Sequence, residues 1–386
     1  LREKKCPWDH FTFTNAAEGG HIEVLRWALD NYPSHTVSYA CELAADNNHR
    51  DVLLLLRERG IVSPGSCASA ARQGNLDLLK WQRENGLPWD EGTCHAAALH
   101  GHLEVLKWAR ENGCSWDEET SSCAASSGDL GVLKWVRENG CSWHEHTCFN
   151  AICSGNLEVL KWAVEHGCPW NDDSCEAAAE KGFLEILKWA TENGCPLNEK
   201  ALIIALRAGH VEMVKWLREN ECPWTITTAR VAAEKGDIET LEWLREQECP
   251  WRKMHCAAAA YGGHLETLKW LRERGCPWKV GTCTAAAHAG HLEVLKWARE
   301  NGCPWNEKIC KAAAERGHLE VLKWARENGC PWNENVCTMA AQRGQLEVLK
   351  WARENGCPWD LCEVLKQAKR CRRKQVSQWV EANKNE

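Results

Sequence analysis

Eleven tryptophans, from Trp81 to Trp351, recur every 27 residues without a slip. A second column with the same period holds Trp89, Trp116, Trp143, Trp170, Trp224, Trp251, Trp278, Trp305, Trp332 and Trp359, and only Leu197 interrupts it. A fixed period of this size marks an array of identical supersecondary units, each burying its apolar face against its neighbours, and overrides any domain count taken from length. The register predicts thirteen units over residues 6–356 in one continuous solenoid, then a degenerate capping repeat with a basic segment over 357–386.

Composition narrows what such an array can do. With 44% hydrophobic residues in 386 there is ample core material, which excludes a disordered chain. The longest apolar stretches, 201–206 and 256–261, fall far short of the ~18 residues of a membrane span. A net charge of −7 argues against a general phosphate-binding surface. The 24 cysteines do not read as a secreted disulfide scaffold, because those domains are short and poor in core residues. Without a basic, apolar and small-residue succession at the start, and without an Asn-x-Ser/Thr site, the expectation is a cytoplasmic or nuclear, monomeric protein.

The unit 303–329 (CPWNEKICKAAAERGHLEVLKWARENG), numbered 1 to 27, stands for all. Position 4 carries Asp90, Asp117, Asn171, Asn198, Thr225, Asn306 or Asn333, side chains that cap a helix amino terminus. The Trp before the cap has the spacing to staple onto the Cys at position 8. Gly at position 15, Asn48 in one unit, suits the left-handed turn that ends a helix. This predicts a helix A of about ten residues. Apolar residues at 17, 19, 20 and 23 with charges at 18, 21, 24 and 25 predict an amphipathic helix B closed by the final glycine. The fold class expected is all-α, an α-solenoid of stacked helix-turn-helix repeats.

The pattern Thr-Cys-x-x-Ala-Ala-x-x-Gly-His-Leu-Glu-Val-Leu-Lys, clearest at 93–107 and 282–296, resembles the ankyrin repeat over nearly the whole chain. It is most similar to short, Trp-rich ankyrin-like variants. The unit is 27 residues where ankyrin has about 33, and the Thr-Pro-Leu-His signature is absent. The resemblance therefore implies a two-helix stack whose β-hairpins are reduced or absent, replaced by the Gly-Cys-Pro-Trp connection.

Recurrence assigns most chemically suggestive residues to the framework. The column tryptophans read as packing groups, since each can bury roughly 150–250 Å². The runner-up, a stacking platform for single-stranded nucleic acid joined by the basic tail 366–374, meets the acidic residues that flank nearly every helix B Trp. Metal binding through cysteine is a third reading. However, the C-x6-C spacing departs from zinc pairs, and the cluster Cys141, His144, His146, Cys148 and Cys153 does not converge on a helix. Equivalent cysteines of neighbouring units, ~8–10 Å apart, lie beyond disulfide reach. His21, His49, His102, His210, His264, His291 and His318 share position 16, which predicts a turn and cap role. No nucleophile elbow, Walker loop, dinucleotide fingerprint or His-Glu-x-x-His helix is present, so neither an enzyme nor a cofactor is expected.

What varies between units is free to encode function. Variation concentrates at positions 6, 9 and 13, one side of helix A, which in ankyrin-like stacks lines the concave face. The candidate partner-binding residues are His95, Leu99, His146, Phe149, Glu176, Glu180, Arg230, Glu234, Met254, Tyr261, His288, Lys311, Glu315, Thr338 and Gln342. Phe149, Tyr261, Met254 and Leu99 are the anchors expected to carry interface energy for a protein partner.

Overall fold

A computed structural model of the chain describes residues 10–31 and 38–383. The starts of the first two units, Cys6 with Trp8 and the segment around Pro33, lie outside the described residues. Twenty-eight α-helices alternate as short A and B helices, and the described residues contain no strand. The residues group into two compact units, Leu1–Pro196 and Leu197–Glu386, and the division falls at the one place where the second Trp column is broken.

Helix A runs 7 to 10 residues; it starts at the position-4 residue in units such as those of Asp90, Asn198 and Thr225 and one or two residues later in those of Asp117, Asn171, Asn306 and Asn333. Asp90 accepts from the Gly92 amide at 3.1 Å, Asn306 from Lys308 at 3.1 Å and Asn198 from Lys200 at 3.0 Å. Each cap satisfies one of the orphan amides of the first turn. Both helices of a unit end in a Schellman turn. In the unit 303–329 the His318 amide donates to the Ala313 carbonyl and the Cys330 amide to Ala325, both at 2.9 Å.

Gly290 shows why position 15 is glycine. Its φ is +84°, and a Cβ there would stand 2.6 Å from the His318 imidazole of the next unit. The histidine itself does not act as predicted. His318 makes no capping hydrogen bond; its Nε2 pairs with the His288 carbonyl of the preceding unit at 3.2 Å. His49 and His102 make the same bond to Glu18 and Arg72, at 3.0 Å each. Position 16 is thus a latch between repeats, and the missing Cβ of the preceding glycine is the space it enters.

Cys and Ala at positions 8, 11 and 12 of helix A and Val, Leu and Ala at 19, 20 and 23 of helix B are buried, as in Cys310, Ala313, Ala314, Val321, Leu322 and Ala325. Small side chains let consecutive A helices approach closely, whereas consecutive B helices touch much less. Within each unit the stack is therefore tighter along its A side.

The tryptophans occupy the margin of this core. Trp305 and Trp324 are half-buried, and of the described residues only Trp270 in either column counts as buried. Trp305 has ring partners that the staple expectation did not include. It meets Trp324 edge-on at 5.9 Å, and Arg299 of the preceding unit lies over its ring at 4.4 Å. The pattern repeats at Trp89/Trp108 with Arg83 and at Trp332/Trp351 with Arg326. The same arginine holds the connection: Arg110 donates to the Cys114 carbonyl at 2.7 Å, and Arg326 to that of Cys330. Position 24 is therefore a clamp on the Cys-Pro-Trp loop and not a merely solvated charge. At the far end, helices Leu361–Arg370 and Lys374–Ala382 form one more pair. Trp379 meets Trp359 at 6.3 Å, and Arg373 replaces the histidine latch by donating to the Gln342 carbonyl at 3.2 Å.

Candidate partner-binding face

Helix A presents positions 6, 9, 13 and 14 away from its buried Cys and Ala residues, and the side chains there do not repeat. In Leu197–Glu386 they form a connected row. The Tyr261 ring stacks on His288 at 6.0 Å, and Arg316 Nε donates to His288 Nε2 at 2.9 Å. Burial, together with the Arg316 charge, holds the His288 imidazole below its ordinary range. Beside it Arg343 pairs with Glu315 at 2.6 Å. Arg230 and Glu234 pair along one helix at 2.8 Å. Met254, Lys311, Thr338 and Gln342 are half-buried, and the Thr338 hydroxyl donates back to the Glu334 carbonyl at 3.0 Å.

In Leu1–Pro196 the candidates make contacts of their own. His95 pairs with Asp117 at 2.6 Å, and His146 sits edge-on to Phe149 at 6.3 Å. Glu176 is half-buried and Glu180 exposed. Leu99 is 42% exposed, matching the 45% of Tyr261. The sequence reading missed two larger apolar groups at position 6, Phe11 at 60% and Tyr39 at 58%. It also missed position 14, where Arg316 and Arg343 reach the preceding unit, and the pair of Arg72 with Asp46 at 2.6 Å. Aromatic residues at a surface register were the available signal for Phe11 and Tyr39.

The five-residue Cys/His cluster is dispersed among separate partners. His144 meets Glu119 at 3.3 Å, His146 meets Asn171 at 3.0 Å, and the Cys141 thiol donates to the Asp117 carbonyl at 3.1 Å. Among the described residues no group of three or more His, Cys, Asp or Glu side chains could hold a metal ion. Cysteines do meet in twos, at a separation the C-x6-C spacing conceals. Position 8 of one unit reaches position 1 of the next, twenty residues on: Cys148 to Cys168 and Cys175 to Cys195, both with sulfurs 2.8 Å apart. Cys94/Cys114, Cys256/Cys276, Cys283/Cys303, Cys310/Cys330 and Cys337/Cys357 are hydrogen-bonded likewise. Cys148 donates to Cys168, and in the other pairs the contact between the two thiols lowers the pKa of the position-1 thiol at Cys114, Cys303, Cys330 and Cys357 and raises that of its position-8 partner, while these position-1 thiols also donate to backbone carbonyls such as Asp90 and Asn306. Cys276 is brought to about 6 by Cys256, with the buried His255 adding to the effect.

Models of ankyrin repeats match residues 121–227 and 174–277 (the three-copy model) and 67–110 and 309–353 (the many-copy model), together well over half of the chain. The chain belongs to the ankyrin repeat family. Comparison with curated proteins gives no match. Among solved structures, the ankyrin-type chain is similar to the pentatricopeptide repeat protein PPR10 in complex with an 18-nt psaJ RNA element. That likeness has 12% identity and a TM-score of 0.46, over 97% of this chain and 69% of that one. It is also similar to PPR10 from maize, with 12% identity and a TM-score of 0.31 over 99% and 71%. At these scores the likeness carries no argument about a ligand. Ankyrin repeats are a scaffold architecture, so what this member binds has to be argued from its own face.

Proposed function

We propose that this chain is a non-enzymatic scaffold that holds a partner protein along the helix A face of each compact unit. One observation carries the reading: the exposed aromatic rings Phe11, Tyr39 and Tyr261, with Leu99, fall on the variable side of helix A among ion pairs and half-buried polar groups, while the exposed apolar residues elsewhere are the smaller Val24, Val62 and Val211. An apolar anchor ringed by satisfied polar groups is the usual make-up of a protein interface. The Trp columns serve a nucleic-acid platform poorly, because Arg covers one ring and the paired Trp meets its edge, which leaves few faces for bases. Among the described residues no helix is long and apolar enough to cross a membrane. We place the protein in the cytoplasm or nucleus, a compartment in which thiols and disulfides are set by the glutathione pool.

The reading is tested by replacing Tyr261 with a photo-crosslinking aromatic amino acid and irradiating the protein in a cell extract. A cross-linked protein band that is lost when the probe sits instead at Glu320, on the outer face of helix B, is the expected outcome. Equal cross-linking at both sites, or cross-linking to nucleic acid alone, overturns it.

A further inference from the structure

Packing alone does not explain why both members of seven junctions are cysteine. At other junctions one place is filled by Ser121, Leu202, Ala229, Ile61 or Leu87, so a closed junction needs at most one sulfur. We propose that the position-8/position-1 pairs are a covalent modification site: each closes to a disulfide by exchange with a small-molecule disulfide such as oxidised glutathione, tying helix A of one unit to the start of the next. In Cys148/Cys168 and Cys175/Cys195 the sulfurs stand 2.8 Å apart. They must close by only about 0.8 Å to reach a bonded ~2.05 Å.

In Cys148/Cys168 the hydrogen bond at 2.8 Å runs from the position-8 thiol to the position-1 sulfur, and this assigns the roles. The accepting sulfur at position 1 is the nucleophile, and at Cys276 the Cys256 thiol and the His255 imidazole both favour its thiolate. This thiolate attacks one sulfur of oxidised glutathione, forming a mixed disulfide and releasing one glutathione thiolate. The position-8 thiol then loses its proton and attacks the protein sulfur of that mixed disulfide, forming the Cys–Cys bond and releasing the second glutathione. Two protein thiols are oxidised, one glutathione disulfide is reduced to two glutathione thiols, and the two protons pass to these products. Access sets the order. Cys168 and Cys195 are 5% and 4% exposed, whereas Cys276, Cys303 and Cys330 are fully buried and wait on local opening of their units.

The test is a non-reduced peptide map of the intact native protein after incubation with oxidised glutathione and acid quenching. Bridges twenty residues apart are expected, with Cys148–Cys168 and Cys175–Cys195 first. Cys148→Ala, a residue this chain already tolerates at position 8 as Ala229, should leave Cys168 as a lasting glutathione adduct. Bridges between other partners, lasting adducts at paired cysteines of the unaltered protein, or paired thiols that stay unmodified while Cys362 reacts would each overturn the proposal.

Discussion

Inside Leu197–Glu386, residues 276–356 and residues 197–248 follow one period with different completeness. In the first stretch each loop Trp lies under an Arg and against a helix B Trp, at 5.8 to 5.9 Å. In the second, Leu197 replaces one Trp, and a cleft of about 420 Å³ lies between Trp224 and Trp243. Arg218 turns from the ring toward Glu239 at 3.6 Å and Thr240 at 3.5 Å. A second cleft, of about 410 Å³, lies along Val211, Val214 and Ile238. The turns differ too: Glu221 and Glu248 hold φ of +52° and +59° where Gly302 and Gly329 hold +82° and +78°. The comparison teaches that the Trp–Arg–Trp contact is a removable edge clamp. Cys, Ala and Leu keep the core closed in both stretches, so the clamp adds strength to each junction without defining the fold.

The greatest difference is expected between Trp324→Ala and Trp243→Ala. Removing a half-buried Trp together with its ring partner should cost ~3 kcal/mol, and removing the unclamped one about half that. Hydrogen exchange of helices Leu319–Glu327 and Ile238–Glu246 reads the two losses locally, which suits an array that does not unfold as one state. Equal losses would remove the clamp from the account.

Backbone conformation gives the next effect. Gly329→Ala should destabilise by ~1–2 kcal/mol because its φ is +78°, and Glu248→Gly should stabilise by up to ~1 kcal/mol by relieving the same strain. Thermal melts of the two variants should move in opposite directions. The smallest effect is expected from arginine. Arg326→Ala loses the contact with Trp332 at 4.1 Å and the bond to the Cys330 carbonyl, for ~1 kcal/mol. Arg218→Ala should cost less, because Arg218 clamps no ring and pairs with a Glu239 that is 69% exposed. A denaturant series on both variants separates them.

Much of this architecture is legible in the sequence because a repeat states its rules many times. The caps at Asp90 and Asn198 and the turn glycines follow from local chemistry, and the structure places them as predicted. What the sequence concealed lies between units. The histidine latch joins residues 30 or 31 apart, as in His318 to His288 and His49 to Glu18. The cysteine pairs join residues 20 apart. Neither separation matches a helical spacing, so neither shows in a hydrophobic pattern. The arginine clamp left no consistent signal, since the residue six positions before Leu197 is Thr191 but the one before Trp170 is Val164. On the candidate face, variability pointed to positions 6, 9 and 13. Phe11 and Tyr39 at position 6 were passed over although an aromatic residue at that surface register was a signal in the sequence, and the stack leaves both rings exposed.

The central claim is that repeated residues hold the array and variable helix A residues bind. Quantitative mass spectrometry of proteins captured by three forms tests it most directly: the intact chain, Phe149→Ala/Tyr261→Ala, and Trp305→Ala. The account predicts that the double variant melts like the intact chain yet loses its captured proteins, while Trp305→Ala melts lower and still captures them below its transition. The same proteins on the double variant, or their loss only with Trp305→Ala, would contradict it.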